Sequence, residues 1–503
     1  MRTVCGIDLG TQSCKVLIYD YEKKVVLARA QAPVDMIAEN DGTREQEAAW
    51  YEEALKTCFS EIEKSAPGLK ARIAAIGVSG HQHSFVPLDG EGKPLYRVKL
   101  WCDTSTAAEC EELTARAGGE AALIAETGLP MRPGYTAPKV QWLKNHKPDQ
   151  FARLRHILLP HDYINFLLTG AYTAEYGDAS GTALFNVRTR KWSSFACDLI
   201  DPAIQGYLPR LLEPGEAAGT VSEAAARAFG LPQGAIVAAG GGDNMMGAIG
   251  TGAVKDGFLT MSLGTSGTLF GFSQVPVIDP TGNLAAFCSS TGGWLPLLCT
   301  MNCTVASEEF RSLFGLEVKA FDAQAAKAPI GAGGLVVLPF FNGERTPNLP
   351  NGRASVNGIT AANFNRENIA RASLESAIFG MRIGMEGFSA LGFKAKEIRL
   401  IGGGAKSPLW QSIAANVLNL PVRVPAGDEA AAMGGAIQAL WTLEKKEKLE
   451  KLEKNGSIES LVEELVILDG GARVNPDAAA VAAYNQAYAV YSRYLGALSP
   501  LYI

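Results

Sequence analysis

The pattern of apolar and polar residues predicts short strands that alternate with helices along the chain. Apolar runs bounded by turn residues predict strands over residues 4–8, 14–20, 73–78, 85–88, 235–239, 258–263, 268–272 and 398–401. Helical spacing covers residues 50–66, 370–391 and 429–443, and the charge-dense segment 444–454 predicts a solvated helical extension. This alternation is typical of the α/β class.

A short turn sequence occurs twice, each time between two predicted strands. The first copy is Asp8-Leu9-Gly10-Thr11-Gln12-Ser13, and the second is Ser262-Leu263-Gly264-Thr265-Ser266-Gly267. The two threonines lie about half of the 503 residues apart. The repeat therefore predicts two related domains that face one nucleotide, residues 1–246 and 247–503. Because only the first copy carries a carboxylate, we expect the first domain to supply the group on the metal side.

The composition excludes several classes of protein. The 503 residues are too many for one compact core, which supports the two domains. A net charge of −6 without a basic stretch is not typical of a nucleic-acid-binding protein, and no apolar run of about 18 residues predicts a membrane span. The nine cysteines include no CxxC pair and no signal-peptide pattern precedes the first strand, so we expect a reduced, cytoplasmic protein.

The first turn has the groups that a phosphate needs. The backbone amides and side chains of Thr11, Gln12 and Ser13 can surround phosphate oxygens, and Lys15 can add a positive charge. Asp8 can hold Mg²⁺ directly or through water. Neither a Walker loop nor a GxGxxG sequence is present, and an ordinary tight turn capped by an aspartate is the alternative interpretation.

Two glycine triplets follow predicted strands. Gly402-Gly403-Gly404 would let the backbone approach a nucleotide closely, and a tight contact between strand and helix is the alternative. After Gly240-Gly241-Gly242, Asp243 is placed as a general base for a sugar hydroxyl, and the alternative is a helix N-cap at Asp243 or Asn244. In the helix predicted after residue 429, Gly434 and Gly435 would allow close packing.

Other polar clusters suit a sugar. His81-Gln82-His83 offers donors and acceptors for hydroxyl groups but lacks a third ligand for a metal. Trp101-Cys102-Asp103 joins an aromatic face to a carboxylate, and a core tryptophan beside a surface aspartate is the alternative. Asp162 and Asp178 are interpreted as turn and cap residues, and Cys299 and Cys303 as packing residues.

As a set, these motifs resemble the FGGY family of carbohydrate kinases, and most closely its xylulokinase members. The resemblance covers nearly the whole chain. The motifs that carry it are Asp8 to Thr11, Leu159 to Tyr163, Ala179 to Thr182, Gly240 to Asn244, Ser262 to Gly267, Gly343 to Pro347 and Ile401 to Ala405. It implies two actin-like ATPase (ribonuclease H-like) domains around a central cleft, with the sugar mainly on the first domain and ATP mainly on the second.

The resemblance also implies the role of each site residue. Asp243 is the expected catalytic base, and Asp8 lies near the expected Mg²⁺. The expected sugar-binding residues are Gln82, His83, Trp101, Asp103, Asp243 and Asn244. The expected ATP-binding residues are Gly10, Thr11, Gln12, Ser13, Lys15, Gly264, Thr265, Gly403, Gly404 and Ser407.

The chain departs from the family pattern where the sugar is expected. Such members usually have Gln and Gly where this chain has His81 and Ser84, and Trp-Asn-Asp where it has Cys102 in the middle; the Arg that often follows is absent. The resemblance still implies an ATP-dependent kinase for a ketose, with D-xylulose converted to D-xylulose 5-phosphate, and the departures leave other sugars open. The alternatives are a kinase for ribulose, sedoheptulose or gluconate, and a non-catalytic actin-like protein that binds sugar or ATP. A homodimer is compatible with the sequence, which does not determine the oligomeric state.

Overall fold

The computed structural model of the chain describes residues 2–427, 429–450, 456–468 and 473–502. These residues form two compact units that interleave along the sequence. Unit 1 contains residues 1–254, 273–295 and 429–466, and unit 2 contains residues 255–272, 296–428 and 467–503, apart from the positions outside the described ranges. The division predicted between residues 246 and 247 falls inside the helix Asp243–Thr251 and stays a prediction about the two family domains.

The main sheet of unit 1 is mixed. Its strands run in the order Ala217–Thr220, Ile236–Ala238, Ile73–Gly80, Thr3–Leu9, Ser13–Asp20 and Val25–Pro33, and Gly241–Gly242 also pairs with Ile73–Gly80. Thr3–Leu9 is parallel to Ile73–Gly80 and antiparallel to Ser13–Asp20, which confirms the predicted N-terminal hairpin. Its inner strands are almost fully buried, because both faces of the sheet carry apolar side chains.

Helices and short strands complete unit 1. The helices are Ala48–Ser65, Ala107–Arg116, Glu120–Thr127, Thr136–His146, Pro148–Arg153, Pro160–Thr169, Tyr176–Ala179, Ser194–Asp198, Glu223–Phe229, Asp243–Thr251, Ala430–Glu450 and Ile458–Leu465. The further strands are Ile37–Ala38, Arg44–Gln46, Val86–Leu88, Val98–Lys99, His156–Leu158, Thr173–Glu175, Phe185–Asn186, Lys191–Trp192, Arg210–Leu212 and Ala285–Cys288. Of the predicted charged extension, residues 444–450 continue the helix Ala430–Glu450, and residues 451–454 lie outside the described residues.

Unit 2 repeats the core plan of unit 1. Its central strands run in the order Trp294–Thr300, Gly267–Gly271, Phe258–Leu263, Glu397–Ile401 and Val422–Arg423. Phe258–Leu263 is antiparallel to Gly267–Gly271 and parallel to Glu397–Ile401, which is the same arrangement as around the first hairpin. A second pair of strands is formed by Val336–Leu338 and Ser355–Asn357. The helices are Thr304–Phe314, Val318–Ala325, Arg366–Ala390, Pro408–Leu418 and Ala478–Leu498.

Two helices of unit 1 touch through their backbones. A Cβ atom at Gly434 would lie 1.8 Å from the carbonyl oxygen of Met246, and one at Gly250 would lie 1.8 Å from that of Ala430. A Cβ at Gly435 would meet the carbonyl of Gly77 at 2.7 Å. Only glycine leaves room for such an approach. The close packing predicted at Gly434 and Gly435 is confirmed, and it holds the helix that begins at Asp243.

Candidate active site

The first turn lies at one edge of the main sheet of unit 1. Asp8 is paired with Lys15 across the hairpin, and the amide of Gly10 donates to the carbonyl of Ser13 at 2.9 Å. Thr11 is half-buried and Gln12 is exposed at the tip of this turn. The turn therefore presents backbone amides and hydroxyl groups at the carboxyl end of Thr3–Leu9, as a phosphate-binding turn would.

Asp8 is held by the neighbouring parallel strand. The hydroxyl of Ser79 donates to Oδ1 of Asp8 at 3.0 Å, because the two residues are paired in register. Burial raises the pKa of Asp8, against the opposing effects of Ser79 and Lys15, and Glu429 raises it further. No role was predicted for Ser79 from the sequence. The feature that could have indicated one is that the strands carrying Asp8 and Ser79 end at the same edge of the sheet.

Asp243 begins a helix at that same edge. Gly241–Gly242 pairs with residues 79 and 80, and the helix Asp243–Thr251 follows directly. Gly242 occupies the N-cap position and has no side chain to cap with, so the alternative of a cap at Asp243 or Asn244 is wrong. Asp243 is half-buried, and its Oδ1 accepts from the backbone amide of Asn244 at 2.8 Å.

The electrostatic environment of Asp243 suits a base near neutral pH. Burial raises its pKa to about 7, and the carboxyl groups of Asp8 and Asp178 contribute in the same direction. The two hydrogen bonds from Asn244, through its backbone amide and through Nδ2 at 3.0 Å, favour the ionised form. A carboxylate with a pKa close to the working pH is the form in which an aspartate removes a proton efficiently.

Three of the predicted sugar residues surround this carboxylate or the turn. Oε1 of Gln82 accepts from Nδ2 of Asn244 at 2.6 Å. Nε1 of Trp101 donates to the hydroxyl of Thr11 at 2.9 Å, so its indole ring is attached to the first turn. The structure thus brings Gln82, Asn244 and Trp101 to the same edge of unit 1 as Asp243.

His83 lies in an aromatic setting with a constrained backbone. Its φ angle of 62° is in the left-handed region, and its carbonyl accepts from Nζ of Lys139 at 2.9 Å and the hydroxyl of Thr136 at 3.0 Å. Its ring centroid lies 5.3 Å from that of Tyr135 and 5.2 Å from that of Phe287. Burial lowers the pKa of Lys139 to about 7. These contacts fix the ring of His83 from both its backbone and its faces.

Asp103 is saturated by protein donors. Its side chain is fully buried, and its Oδ2 accepts from the amide of Arg44 at 2.8 Å and from Nζ of Lys99 at 3.1 Å. Its Oδ1 accepts from the amide of Ser105 at 3.0 Å and from its hydroxyl at 2.7 Å. Lys99 also pairs with Glu45 at 3.0 Å. These donors occupy both oxygens of Asp103. Contact of Asp103 with substrate stays a prediction.

A buried histidine lies between two carboxylates behind the site. Nδ1 of His161 lies 2.8 Å from Asp178, and its Nε2 lies 2.9 Å from Asp162. Burial alone would lower the pKa of His161, but the two carboxylates raise it well above its usual value. Asp162 also accepts from the amide of Leu159 at 3.1 Å, as its predicted capping role requires. Asp178 is not a cap, because Glu175 accepts from the first amides of that helix.

The second turn is tied to a helix of unit 2. The carbonyl of Gly264 accepts from the amide of Thr304 at 2.9 Å, and that of Thr265 accepts from Cys303 at 3.0 Å. The side chain of Thr265 is exposed. Cys299 and Cys303 are buried, as predicted for packing residues.

The three glycines after Glu397–Ile401 have different surroundings. A Cβ at Gly402 would lie 2.6 Å from the carbonyl of Leu263, and one at Gly404 would lie 2.0 Å from the ring of Trp410, whereas one at Gly403 would have nothing within 4 Å. The hydroxyl of Ser407 accepts from the amide of Trp410 at 3.3 Å and so caps the helix Pro408–Leu418. Gly404 therefore packs inside unit 2, whereas Gly402 is exposed with its backbone against Leu263, and Gly403 is exposed with open space around it.

The described residues contain neither a helix suited to a membrane nor a cluster of metal ligands. Within the described ranges, no helix combines the length and the apolar character that a membrane span requires. The same residues contain no cluster of three or more His, Cys, Asp or Glu side chains arranged to hold a metal ion. A Mg²⁺ ion that arrives with nucleotide phosphates needs only one or two protein carboxylates, and Asp8 meets that requirement.

Comparisons with known proteins cover the whole chain. Residues 3–250 match the model of the N-terminal domain of the FGGY family of carbohydrate kinases, and residues 259–443 match that of the C-terminal domain. The chain is 42% identical to a xylulose kinase from Haemophilus influenzae over 503 residues, which cover 99% of both chains.

Solved structures show the same fold. A structure described as a xyloylose kinase from Brucella ovis superposes with a TM-score of 0.91 at 30% identity, over 99% of this chain and 100% of that one. A gluconate kinase from Lactobacillus acidophilus also has a TM-score of 0.91, at 23% identity over 100% of this chain and 99% of that one. Because proteins named for two different substrates have the same TM-score, the fold alone does not select the sugar.

Proposed function

Since this chain belongs to the FGGY family of carbohydrate kinases, we propose that it transfers the γ-phosphate of ATP to a terminal hydroxyl of D-xylulose and forms D-xylulose 5-phosphate. The chain is a carbohydrate kinase, and ATP is the phosphate donor that this family implies. The choice of sugar is supported by the 42% identity to a xylulose kinase over the full length. The observation that carries the mechanism is the half-buried Asp243 at the start of the helix that follows Gly241–Gly242, whose carboxyl pKa is raised to about 7.

Asp243 is the general base of the proposed reaction. Its carboxylate removes the proton of the terminal hydroxyl as that oxygen attacks the γ-phosphorus. The bond between the γ-phosphorus and the oxygen bridging to the β-phosphorus breaks, and ADP leaves with the electron pair. Asn244 keeps the carboxylate ionised through its two hydrogen bonds. Gln82, His83 and Trp101 would orient the sugar beside it.

The first turn holds the phosphate that is transferred. The backbone amides and side chains of Thr11, Gln12 and Ser13 would bind its oxygens beside Gly10, whose own amide donates to the carbonyl of Ser13, and Lys15 would add a positive charge. Such donors stabilise the charge that spreads over the phosphoryl oxygens in the transition state. They lie on the same unit as Asp243, which follows a strand of the same sheet, so one sheet positions both the acceptor and the transferred group.

Asp8 would hold Mg²⁺. Asp8 fits this ion. It is a carboxylate, burial disfavours its negative charge, and the negative charge of Asp243 lies close by, so a cation beside Asp8 is favourable. A bound Mg²⁺ would neutralise charge on the nucleotide phosphates. On the protein side, Ser79 orients Asp8 through its hydrogen bond to Oδ1.

Unit 2 carries the proposed nucleotide residues. They are Gly264, Thr265, Gly403, Gly404 and Ser407. Among them, Gly403 and Thr265 present open backbone or an exposed side chain. Residues 1–246 would then serve the sugar and residues 247–503 the nucleotide, as the two family domains suggest. A cytoplasmic location and a homodimeric assembly are further proposals, the second testable by sedimentation.

An ADP-release assay over a panel of sugars tests the proposed function. The panel contains D-xylulose, ribulose, sedoheptulose and gluconate, and product phosphorylation is confirmed by mass spectrometry. We expect the highest kcat/KM for D-xylulose. A higher kcat/KM for another sugar of the panel would identify that sugar as the substrate. Binding of a sugar without formation of any sugar phosphate would support the non-catalytic alternative.

A further inference from the structure

Two of the residues that depart from the family pattern contact each other. Nδ1 of His81 lies 2.8 Å from Oγ of Ser84, and both side chains are buried, with 1% and 0% of their surface exposed. Neither side chain is therefore placed to touch a sugar directly. The two departures form one matched pair.

The pair extends on one side to the proposed sugar and phosphate residues. Oγ of Ser84 accepts from the backbone amide of Trp101 at 3.0 Å. The indole Nε1 of Trp101 then donates to Oγ1 of Thr11 at 2.9 Å. Ser84 thus fixes the backbone of the residue whose ring holds the hydroxyl of the phosphate turn.

The pair extends on the other side to the same threonine. Nε2 of His81 lies 3.3 Å from the hydroxyl of Tyr51, which donates to Oε1 of Gln46 at 2.9 Å. Nε2 of Gln46 donates to the carbonyl of Thr11 at 2.7 Å and to that of Asp35 at 2.7 Å. The contacts close a hydrogen-bonded ring, which consists of Thr11, Gln46, Tyr51, His81, Ser84 and Trp101.

One arrangement of protons satisfies the whole ring. The hydroxyl of Ser84 donates to Nδ1 of His81, and Nε2–H of that imidazole donates to Tyr51, whose own proton goes to Gln46. The carbonyl of Gln82, at 3.4 Å, is a more distant acceptor for the hydroxyl of Ser84. The arrangement requires a neutral imidazole, and burial lowers the pKa of His81 to about 3.

We propose that His81 and Ser84 are positioning residues that act together through Trp101 and Thr11, and that they hold the phosphate turn against the sugar side of the site. This inference rests on the proposed function, because it takes Trp101 and Thr11 as site residues. According to this proposal, the departures at His81 and Ser84 affect how the transferred phosphate is aligned. The choice of sugar is then set by other residues.

A double-mutant cycle tests the proposal. The variants are Ser84→Ala, His81→Gln and the two combined, assayed in the full chain with the sugar that the wild type phosphorylates fastest. We expect each single variant to lower kcat about tenfold with little change in the KM for sugar, and the double variant to lose about tenfold in place of the hundredfold that independent effects would give. Relative kcat/KM values across the sugar panel should stay within about twofold.

A second cycle distinguishes positioning from general destabilisation. In Trp101→Phe the donor to Thr11 is lost, so adding Ser84→Ala should lower kcat no further. Thermal unfolding midpoints measured alongside show whether the variants are folded. If Ser84→Ala does not fold, Ser84→Cys replaces it. Because a thiol forms weaker hydrogen bonds than a hydroxyl, we expect this variant to have an intermediate kcat.

Four outcomes would overturn the proposal. Independent, multiplicative effects of the two single variants would show that His81 and Ser84 do not act together. A changed order of sugars would mean that they select the substrate. Equal catalysis by all variants would show that the ring has no catalytic consequence. If the wild type phosphorylates no sugar, this result is obtained before any variant is assayed. It overturns the proposed function as well.

Discussion

Asn244 joins Gln82 to Asp243 through one side-chain amide. Its Nδ2 lies 2.6 Å from Oε1 of Gln82 and 3.0 Å from Oδ1 of Asp243. Donation to a carboxylate favours the ionised form and lowers its pKa. Asn244 therefore opposes the burial and the neighbouring carboxylates, which together raise the pKa of Asp243 to about 7.

The pH dependence of catalysis follows from this contact. A general base works when deprotonated, so kcat/KM of the wild type should rise with pH and level off above about 7. In Asn244→Ala the rising limb should move to higher pH, because a donor to the carboxylate is lost. Gln82→Ala is the control, since Gln82 does not bond to Asp243: it should raise the KM for sugar without moving the limb. Profiles with identical limbs would contradict the role of Asn244.

Replacing Asp243 should separate catalysis from folding. We expect Asp243→Ala to keep ATP binding and to lower turnover by about 10²–10⁴, the range typical of a lost general base. The exposed Asp198 in the same unit offers a matched control, and Asp198→Ala should retain normal turnover. Turnover and calorimetric ATP binding are measured on both variants. Near-normal turnover of Asp243→Ala would remove it as the base.

The same carboxyl group should reduce stability at neutral pH. Its pKa is about 7 in the folded chain and about 3.9 in an unfolded one. The contribution of this group to the free energy of unfolding is therefore fully present below about pH 4 and is lost as the pH rises through 7. Asp243→Asn has no such charge. Its stability relative to the wild type should therefore increase from about pH 4 to pH 7 and stay constant above. Urea unfolding across this range measures the difference, and a constant difference would contradict the raised pKa.

The backbone contact at Gly434 should be sensitive to one methyl group. Gly434→Ala would place Cβ 1.8 Å from the carbonyl of Met246, so the helix Asp243–Thr251 must move. We expect a loss of about 2 kcal/mol or more in unfolding free energy, together with a lower kcat. Gly496→Ala, also in a helix but with nothing within 4 Å of the new Cβ, is the control and should stabilise by about 0.5–1 kcal/mol. Equal effects of the two substitutions would contradict the packing argument.

Gly403 and Gly404 offer a test of the proposed nucleotide loop. Gly403→Ala meets no atom within 4 Å, so the fold should be unchanged while the KM for ATP rises about tenfold or more if nucleotide lies against it. Gly404→Ala would collide with the ring of Trp410 at 2.0 Å and should lower the unfolding midpoint. An unchanged KM for ATP in Gly403→Ala would remove this position from the nucleotide site.

Several elements of this protein could be predicted because their signals are local. Both hairpins follow from apolar runs that flank a Gly-Thr turn, and the structure has strands at Thr3–Leu9, Ser13–Asp20, Phe258–Leu263 and Gly267–Gly271. The close packing of Gly434 also followed from its sequence, since paired glycines inside a helix otherwise only weaken it.

The sequence could not distinguish side chains of the same type by their surroundings. It did not reveal that donors from Arg44, Lys99 and Ser105 engage both oxygens of Asp103, whose contact with sugar stays a prediction. It treated His81 and Ser84 as changes in the sugar site, but their side chains are buried against each other. Burial and pairing depend on residues far away in the chain, which no local pattern records.

By itself, the sequence determined the α/β class and the two turns, because turn residues and hydrophobic periodicity act over a few neighbouring positions. The type of chemistry was implied by the resemblance of its motifs to a known family. Only the tertiary structure decided which groups meet. Parallel pairing of Thr3–Leu9 with Ile73–Gly80 places Ser79 on Asp8, and the pairing of Gly241–Gly242 with the same strand brings Asp243 to that edge. The raised pKa of Asp243 is a consequence of that meeting, since it arises from burial and from carboxyl groups distant in sequence.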